Sequence, residues 1–215
     1  MNNGSSGEWK FEEERFFETG YEPRSGILAF VDITLFMGLL KQCFEVVGSK
    51  MKRKKIEILL KSIEWHIHYT CKVSGSRVLS ESTIIEHNHE LKTAVSLTHK
   101  GYDVLFAPRG IFQRTDKKFD IFIIKDYLIL KADLKCISSK NPDTIANRIK
   151  GGAAQASRVV IEITSDIERK DLISGLRSGV YKNSLIKEIF LFYKGYFYVL
   201  PKNLIASKKI YSLIK

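Results

Sequence analysis

Lys118-Phe119-Asp120-Ile121-Phe122-Ile123-Ile124-Lys125-Asp126-Tyr127-Leu128-Ile129-Leu130-Lys131-Ala132-Asp133-Leu134-Lys135 reads as a β-hairpin, two strand-like runs rich in β-branched and aromatic residues. With strands at 118–124 and 127–135 and a two-residue turn at Lys125-Asp126, paired residues have numbers that sum to 251, so Asp120 faces Lys131. Side chains alternate along a strand, so Asp120, Lys131, Asp133 and Lys135 share one face, with Asp133 diagonally next to Asp120. The other face collects Phe119, Ile121, Ile123, Leu128, Leu130, Ala132 and Leu134, all apolar. Burial of that face specifies the register, because a slip of one residue would turn it to solvent and send Asp120 away from Asp133.

Two carboxylates and a lysine at the end of otherwise buried strands are costly unless something compensates them. A divalent cation with oxygen ligands does so, and Mg²⁺ or Mn²⁺ suits carboxylate donors. Such a centre can polarise a phosphodiester oxygen and activate water, with Lys135 orienting the nucleophile or steadying charge. A plain ion pair, in which Lys135 only neutralises Asp133, is the alternative the hairpin leaves open. The acidic-x-Lys spelling recurs at Glu90-Leu91-Lys92, Asp116-Lys117-Lys118 and Glu168-Arg169-Lys170. Only Asp133-Leu134-Lys135 ends an apolar strand and has a second acidic residue, Asp120, across a tight turn.

Around the hairpin the pattern predicts a helix from Thr83 to His99, opened by a Thr83/Glu86 capping box and ending at Gly101. A strand follows at Asp103–Ala107, and Asn141-Pro142 starts another helix as N-cap and first-turn proline. Val159–Ile163 reads as a strand, Ser165–Leu176 as a helix, and Ile186–Tyr193 with Tyr196–Leu200 as a hairpin turning at Lys194-Gly195. The order predicts an α/β or α+β fold, a mixed central sheet flanked by helices. Before it, Ile56, Leu59, Leu60, Ile63 and Ile67 fall at helical spacing over Lys55–Tyr69, and Cys71–Ser80, with Ser74-Gly75-Ser76, reads as a linker. Residues 1–79 are therefore expected to be a mainly helical accessory segment and 80–215 the principal domain.

The chain has 215 residues and a formal charge of +11, from 35 Lys+Arg against 24 Asp+Glu, which points to a polyanionic partner. Cys43, Cys71 and Cys136 form no CxxC pair, so neither a disulfide framework nor a zinc ribbon is expected. The start, with its Glu12-Glu13-Glu14 run, is unlike a signal peptide, and the apolar stretch Ile27–Leu40 is too short to span a bilayer, so a cytoplasmic site of action is expected.

In order and spacing this half of the chain resembles the PD-(D/E)xK nuclease superfamily. The residues that carry the likeness are Glu90-Leu91-Lys92-Thr93-Ala94, Gly101-Tyr102-Asp103-Val104, Lys118-Phe119-Asp120, Ala132-Asp133-Leu134-Lys135 and Ala154-Gln155-Ala156. Within the superfamily these resemble the tRNA-nuclease domain at the C-terminus of contact-dependent growth inhibition toxins. The resemblance covers about Ser80 to Ile163 and departs from the superfamily's name at Phe119, which stands where a proline would precede Asp120. It implies a restriction-endonuclease-like core, metal-site carboxylates at Glu90, Asp120 and Asp133, a catalytic Lys135, and Gln155 near the scissile phosphate. It further implies a tRNA substrate, with DNA as the alternative, and a cognate immunity protein as partner. Arg109, Arg148, Lys150 and Arg158 are the candidate phosphate contacts, and Gly151-Gly152 could admit a phosphate backbone.

Rival chemistry has less to rest on. His66-Ile67-His68 and His87-Asn88-His89, with Cys71 and Glu86, could ligate zinc, but histidines two apart on a helix point to different faces. A metal-independent ribonuclease using His89 or His99 would leave the acidic hairpin unexplained. No Walker loop, GxSxG elbow or HExxH is present. A nuclease-like fold that binds nucleic acid without cutting it is the non-enzyme alternative.

Overall fold

The computed structural model describes residues 66–81, 88–107, 119–125, 128–181 and 183–215. Their elements are β1 (His66–Thr70), β2 (Arg77–Ser80), α1 (Asn88–Thr98), β3 (Asp103–Phe106), β4 (Ile121–Lys125), β5 (Leu128–Ile137), α2 (Pro142–Ala153), β6 (Arg158–Ile163), α3 (Arg169–Tyr181), β7 (Glu188–Tyr193), β8 (Tyr196–Pro201), α4 (Lys202–Ala206) and α5 (Ile210–Leu213). The strands form one mixed sheet in sequence order. Pairs β2/β3, β5/β6 and β6/β7 are parallel, each crossing over through a helix, and the others are antiparallel. The α/β organisation expected from the sequence is therefore present, and from α1 to β8 the elements follow the predicted order.

Local chemistry accounts for the boundaries. Gly101 takes φ 78° just after α1, where its own N–H reaches the Thr98 carbonyl and that of Tyr102 the Leu97 carbonyl, closing the last turn. Asn141 caps α2, its side chain accepting the Asp143 N–H at 2.8 Å, with Pro142 in the first turn. Lys194 (φ 47°) and Gly195 (φ 78°) both turn left-handed between β7 and β8, the two-residue turn that matches strand twist. The third helix starts later and runs further than the 165–176 expected, since Arg169–Tyr181 is helical.

Each face of the sheet buries a separate core. Leu134, Val160 and Phe190 face α1, packing with Ala94, Leu97, Ile121 and Ile123. Val159, Ile161 and Ile189 point the other way, against Ile145 and Ile149 of α2 and Leu172 and Leu176 of α3. Full burial of each Leu or Ile contributes roughly 1.5–3 kcal/mol. The two helices touch through glycines: a Cβ on Gly175 would stand 2.7 Å from the Pro142 carbonyl oxygen, and one on Gly179 would stand 2.9 Å from Ile149.

Two expectations are corrected at the start of the described chain. Residues 66–69, read as the end of a helix, belong to strand β1, and the stretch read as a linker is the turn and second strand of a hairpin paired Ile67 to Leu79 and Thr70 to Arg77. Strand β2 then pairs with β3, so residues 66–80 are part of the sheet and not of a helical accessory segment. Hydrogen bonding to β2 satisfies a segment whose histidines, tyrosine and threonine fit a pleat better than a helix. The helix expected before residue 66, the run 50–55 and the Thr83/Glu86 cap lie outside the described residues. Among those described, no helix is long and apolar enough to cross a membrane.

Candidate active site

The hairpin forms, but in a different register. Ile121 pairs with Ala132 and Lys125 with Leu128, so paired numbers sum to 253 and not 251. A shift of two keeps Ile121, Ile123, Ala132 and Leu134 on their predicted face and changes their partners, but Phe119, expected on that face, lies against Phe122 and Lys131 instead. Lys131 pairs with Phe122, its ammonium 4.9 Å from the Phe119 ring centre, and Asp120 falls opposite Asp133.

Strand β5 changes neighbours at this point. Its residues up to Ala132 pair with β4, and those from Asp133 onward pair with β6. Asp120 marks the handover. Its backbone N–H still donates to the Ala132 carbonyl at 3.2 Å, while its side chain Oδ2 accepts the Leu134 N–H at 2.7 Å, replacing the next rung of the ladder. The two aspartates are thus set side by side by the backbone itself, within hydrogen-bonding reach of one another.

Asp133 is completely buried. The row it occupies across the sheet continues through Val159, Ile189 and Leu200, so it is a carboxylate in an apolar line. The end of α2 packs directly onto it: a Cβ on Gly152 would lie 2.7 Å from Asp133 Oδ2 and 2.8 Å from Val159. Lys135 Nζ meets the same oxygen at 2.5 Å and also reaches the Leu134 carbonyl at 3.1 Å. Burial pushes the Asp133 carboxyl up to about 7; the Lys135 ammonium opposes the rise, and the charge of Asp120 adds to it. Near neutral pH this group exchanges a proton readily.

The other predicted residues are placed less centrally. Glu90 is half-buried in the first turn of α1, the helix on the Leu134 face, whereas Asp133 looks toward α2. Among the described residues no group of three His, Cys, Asp or Glu side chains that could hold a metal is found. Gln155 is half-buried in the turn after α2, its N–H bonded to the Gly152 carbonyl at 2.8 Å, and so lies one turn beyond the glycine that touches Asp133. Arg148 and Lys150 are exposed on α2, Arg158 pairs with Glu188 at 3.4 Å, and Arg109 lies outside the described residues. Gly152 makes room for a carboxylate and a valine and not for a phosphate; Gly151 faces open space.

The zinc alternative loses its original objection and gains another. His66 and His68 stand on a strand and not a helix, but His68 Nε2 is hydrogen-bonded to Ser80 Oγ at 2.7 Å, and no ligand trio exists among the described residues. One feature escaped the sequence reading altogether. Glu162, the single acidic residue of β6, accepts the Thr93 hydroxyl at 2.5 Å and ties α1 to the sheet on the face away from Asp133. Its signal was the lone acidic residue in Val-Val-Ile-Glu-Ile.

The aspartate pair fits a hard dication on its own chemistry. Two adjacent carboxylates, one fully buried and held partly protonated, gain most from a cation placed between them. Mg²⁺ commonly rests on one or two carboxylates, with waters and substrate oxygens completing its shell, so a third side chain is not required. Compared with protein-family models, curated proteins and solved structures, the chain matches none.

Proposed function

We propose that the chain is a metal-dependent phosphodiesterase of the PD-(D/E)xK type, cutting nucleic acid at the Asp120–Asp133–Lys135 centre, with tRNA the favoured substrate by resemblance. The observation that carries this reading is the pairing of Asp120 with a completely buried Asp133 where β5 exchanges one neighbour for another, with Lys135 in contact. Asp120 and Asp133 would hold the ion. A bound Mg²⁺ or Mn²⁺ supplies Lewis-acid polarisation of a phosphodiester oxygen and a lowered pKa for water.

The chain's own groups do the rest. Asp120 is held by the Leu134 N–H, so its carboxylate is oriented before any ligand arrives. Lys135 has 17% of its side chain exposed, enough to leave Asp133 and meet a phosphate oxygen, where it would steady the charge that develops in the transition state. Asp133, which burial pushes up to about 7 in the metal-free fold, would give up its proton to serve as a ligand. Arg148 and Lys150, exposed on the helix whose end touches Asp133, are available for phosphate backbone, and the net charge of +11 favours a polyanion.

The test incubates the protein with tRNA, duplex DNA and single-stranded DNA in Mg²⁺, Mn²⁺ or EDTA. Metal-dependent cleavage of at least one substrate, reduced a hundredfold or more in Asp133→Asn with binding retained, is the expected result. Cleavage that survives EDTA or the substitution would sink the proposal. One observation favours a second reading: the Lys135–Asp133 contact, with no third ligand gathered among the described residues, also describes a nuclease-like fold that binds nucleic acid without cutting it. Tight binding with no cleavage in either metal would establish that reading instead.

A further inference from the structure

At the opposite end of the β2–β4 ladder from the aspartates, the turn joining β1 to β2 lies against the last turn of α1. Asp103, whose carboxylate accepts the Arg77 N–H at 2.7 Å, and Ile124 mark this end, whereas Phe106 and Ile121 mark the end nearest Asp120. Three chemically capable side chains meet there. Cys71 Sγ lies 3.7 Å from His99 Nδ1, and the other ring nitrogen, Nε2, lies 3.2 Å from the Tyr69 hydroxyl. The Tyr69 and His99 rings also touch, with centres 5.8 Å apart, so the imidazole is gripped from its far side. Nothing in the aspartate centre uses any of the three.

We propose that Cys71, His99 and Tyr69 form a second reactive centre, in which Cys71 is a thiolate nucleophile that takes a small oxidant of the peroxide class. The arrangement is nucleophile, base and positioning residue in hydrogen-bonded sequence. The turn adds donors to the sulfur. The Ser74 side chain contributes most to holding the thiol below its ordinary range, with the Ser74 N–H next, burial opposing, and the Val73 N–H helping. Because the single Ser74 hydroxyl proton is also claimed by the Thr98 carbonyl at 2.7 Å, the backbone N–H groups are the steadier donors. The titratable groups facing Cys71 are Tyr69 from β1 and His99 from the end of α1; Lys72 and Lys100, their neighbours in the chain, are exposed. Cys136 is an internal contrast, since burial pushes its thiol up, with Glu162 adding to the rise against a hydrogen bond from Thr164.

Access limits the reagent. Cys71 is 1% exposed beneath a turn whose residues 72–75 are all exposed, which bars bulky electrophiles, so a reagent that reaches the sulfur must be small. The thiolate attacks one peroxide oxygen, the S–O bond forms as the O–O bond breaks, and the departing hydroxide takes the imidazolium proton of His99 to leave as water. Sulfur is oxidised by two electrons to the sulfenic acid and the peroxide is reduced by two.

Thiolate absorbance at 240 nm, followed against pH in the full chain with the Cys71→Ser trace subtracted, reports ionisation whatever the access. The expected midpoint lies at least one pH unit below the ordinary thiol value of about 8.5, rises by a unit or more in His99→Gln, and shifts less in Tyr69→Phe, which keeps the ring and its packing. Dimedone labelling after dilute hydrogen peroxide should mark Cys71 at least tenfold faster than Cys136. A midpoint at or above the ordinary value overturns the proposal, as does a low midpoint indifferent to His99→Gln or one with no sulfenic acid at Cys71.

Discussion

Asp133→Asn separates the consequences of a buried charge from those of a buried side chain, because asparagine matches aspartate in size and never ionises. The ordinary carboxyl value of 3.8 is raised to about 7, a displacement of roughly three pH units. At about 1.36 kcal/mol per unit, ionising Asp133 in the metal-free fold costs about 4 kcal/mol at full effect. Asp133 is completely buried, so solvent screening does not reduce this much. The sign follows from proton binding. Between the two values the folded protein holds a proton that the unfolded chain has lost, so the contribution is fully present below about pH 4 and is lost as pH rises through 7. Metal-free wild type should lose roughly 2–3 kcal/mol more stability than Asp133→Asn between pH 5 and pH 8. Urea midpoints measured in EDTA at both pH values give the number, and histidine titrations common to both proteins cancel in the difference. Mg²⁺ should reduce the loss at pH 8 in wild type alone. Parallel pH profiles for the two proteins would show that Asp133 is not held protonated by its surroundings, and the electrostatic account of the site would fail.

The remaining predictions concern how α2 meets its neighbours. Gly152→Ala should cost about 1–3 kcal/mol in wild type, from the 2.7 Å approach to Asp133 Oδ2, and distinctly less in an Asp133→Ala background. Equal costs in a urea double-mutant cycle would assign the clash to Val159 alone. Gly151→Ala, one residue away with nothing within 4 Å of the new methyl, should raise stability by about 0.5–1 kcal/mol. Gly179→Ala, whose methyl would press on Ile149 and the Ala146 backbone, should lower the thermal midpoint where Gly151→Ala raises it. Asn141→Ala removes the acceptor of the Asp143 N–H and should cost about 1 kcal/mol by denaturant titration, with no effect on cleavage.

Hydrophobic alternation made the hairpin legible and left its register undetermined for a definite reason. A face is a matter of parity, and sums of 251 and 253 have the same parity, so the apolar pattern of Ile121, Ile123, Ala132 and Leu134 is satisfied by both. What distinguishes them is the fit at the strand's end, where Asp120 gives its side chain to the Leu134 N–H. That is a tertiary choice no periodicity encodes. At His66–Thr70 the failure was of another kind. Ile56 to Ile67 match a helix stripe, but the last residues are held by hydrogen bonds to β2, which carries only two apolar residues, Val78 and Leu79, and so gave almost no strand signal of its own. The caps, by contrast, were readable because Asn141-Pro142 and Gly101 act through their own backbone and need no partner.

The position of Asp133 bears on why the fold tolerates it. Residues level with it across the sheet are Val159, Ile189 and Leu200, each completely buried, so an aliphatic side chain at 133 would extend the row and avoid a carboxylate's desolvation. A strand-end ion pair kept only for stability would sit where solvent shares the cost, as Arg158 and Glu188 do at the other side of β6. Here the surroundings are fitted to the acid instead. A glycine at 152, unfavourable within a helix, leaves the carboxylate its space, and the hairpin stops at Asp120 so that a second carboxylate stands beside the first. Three separate stability costs therefore converge on one oxygen-rich point, which is the pattern expected where local stability has been given up for chemistry.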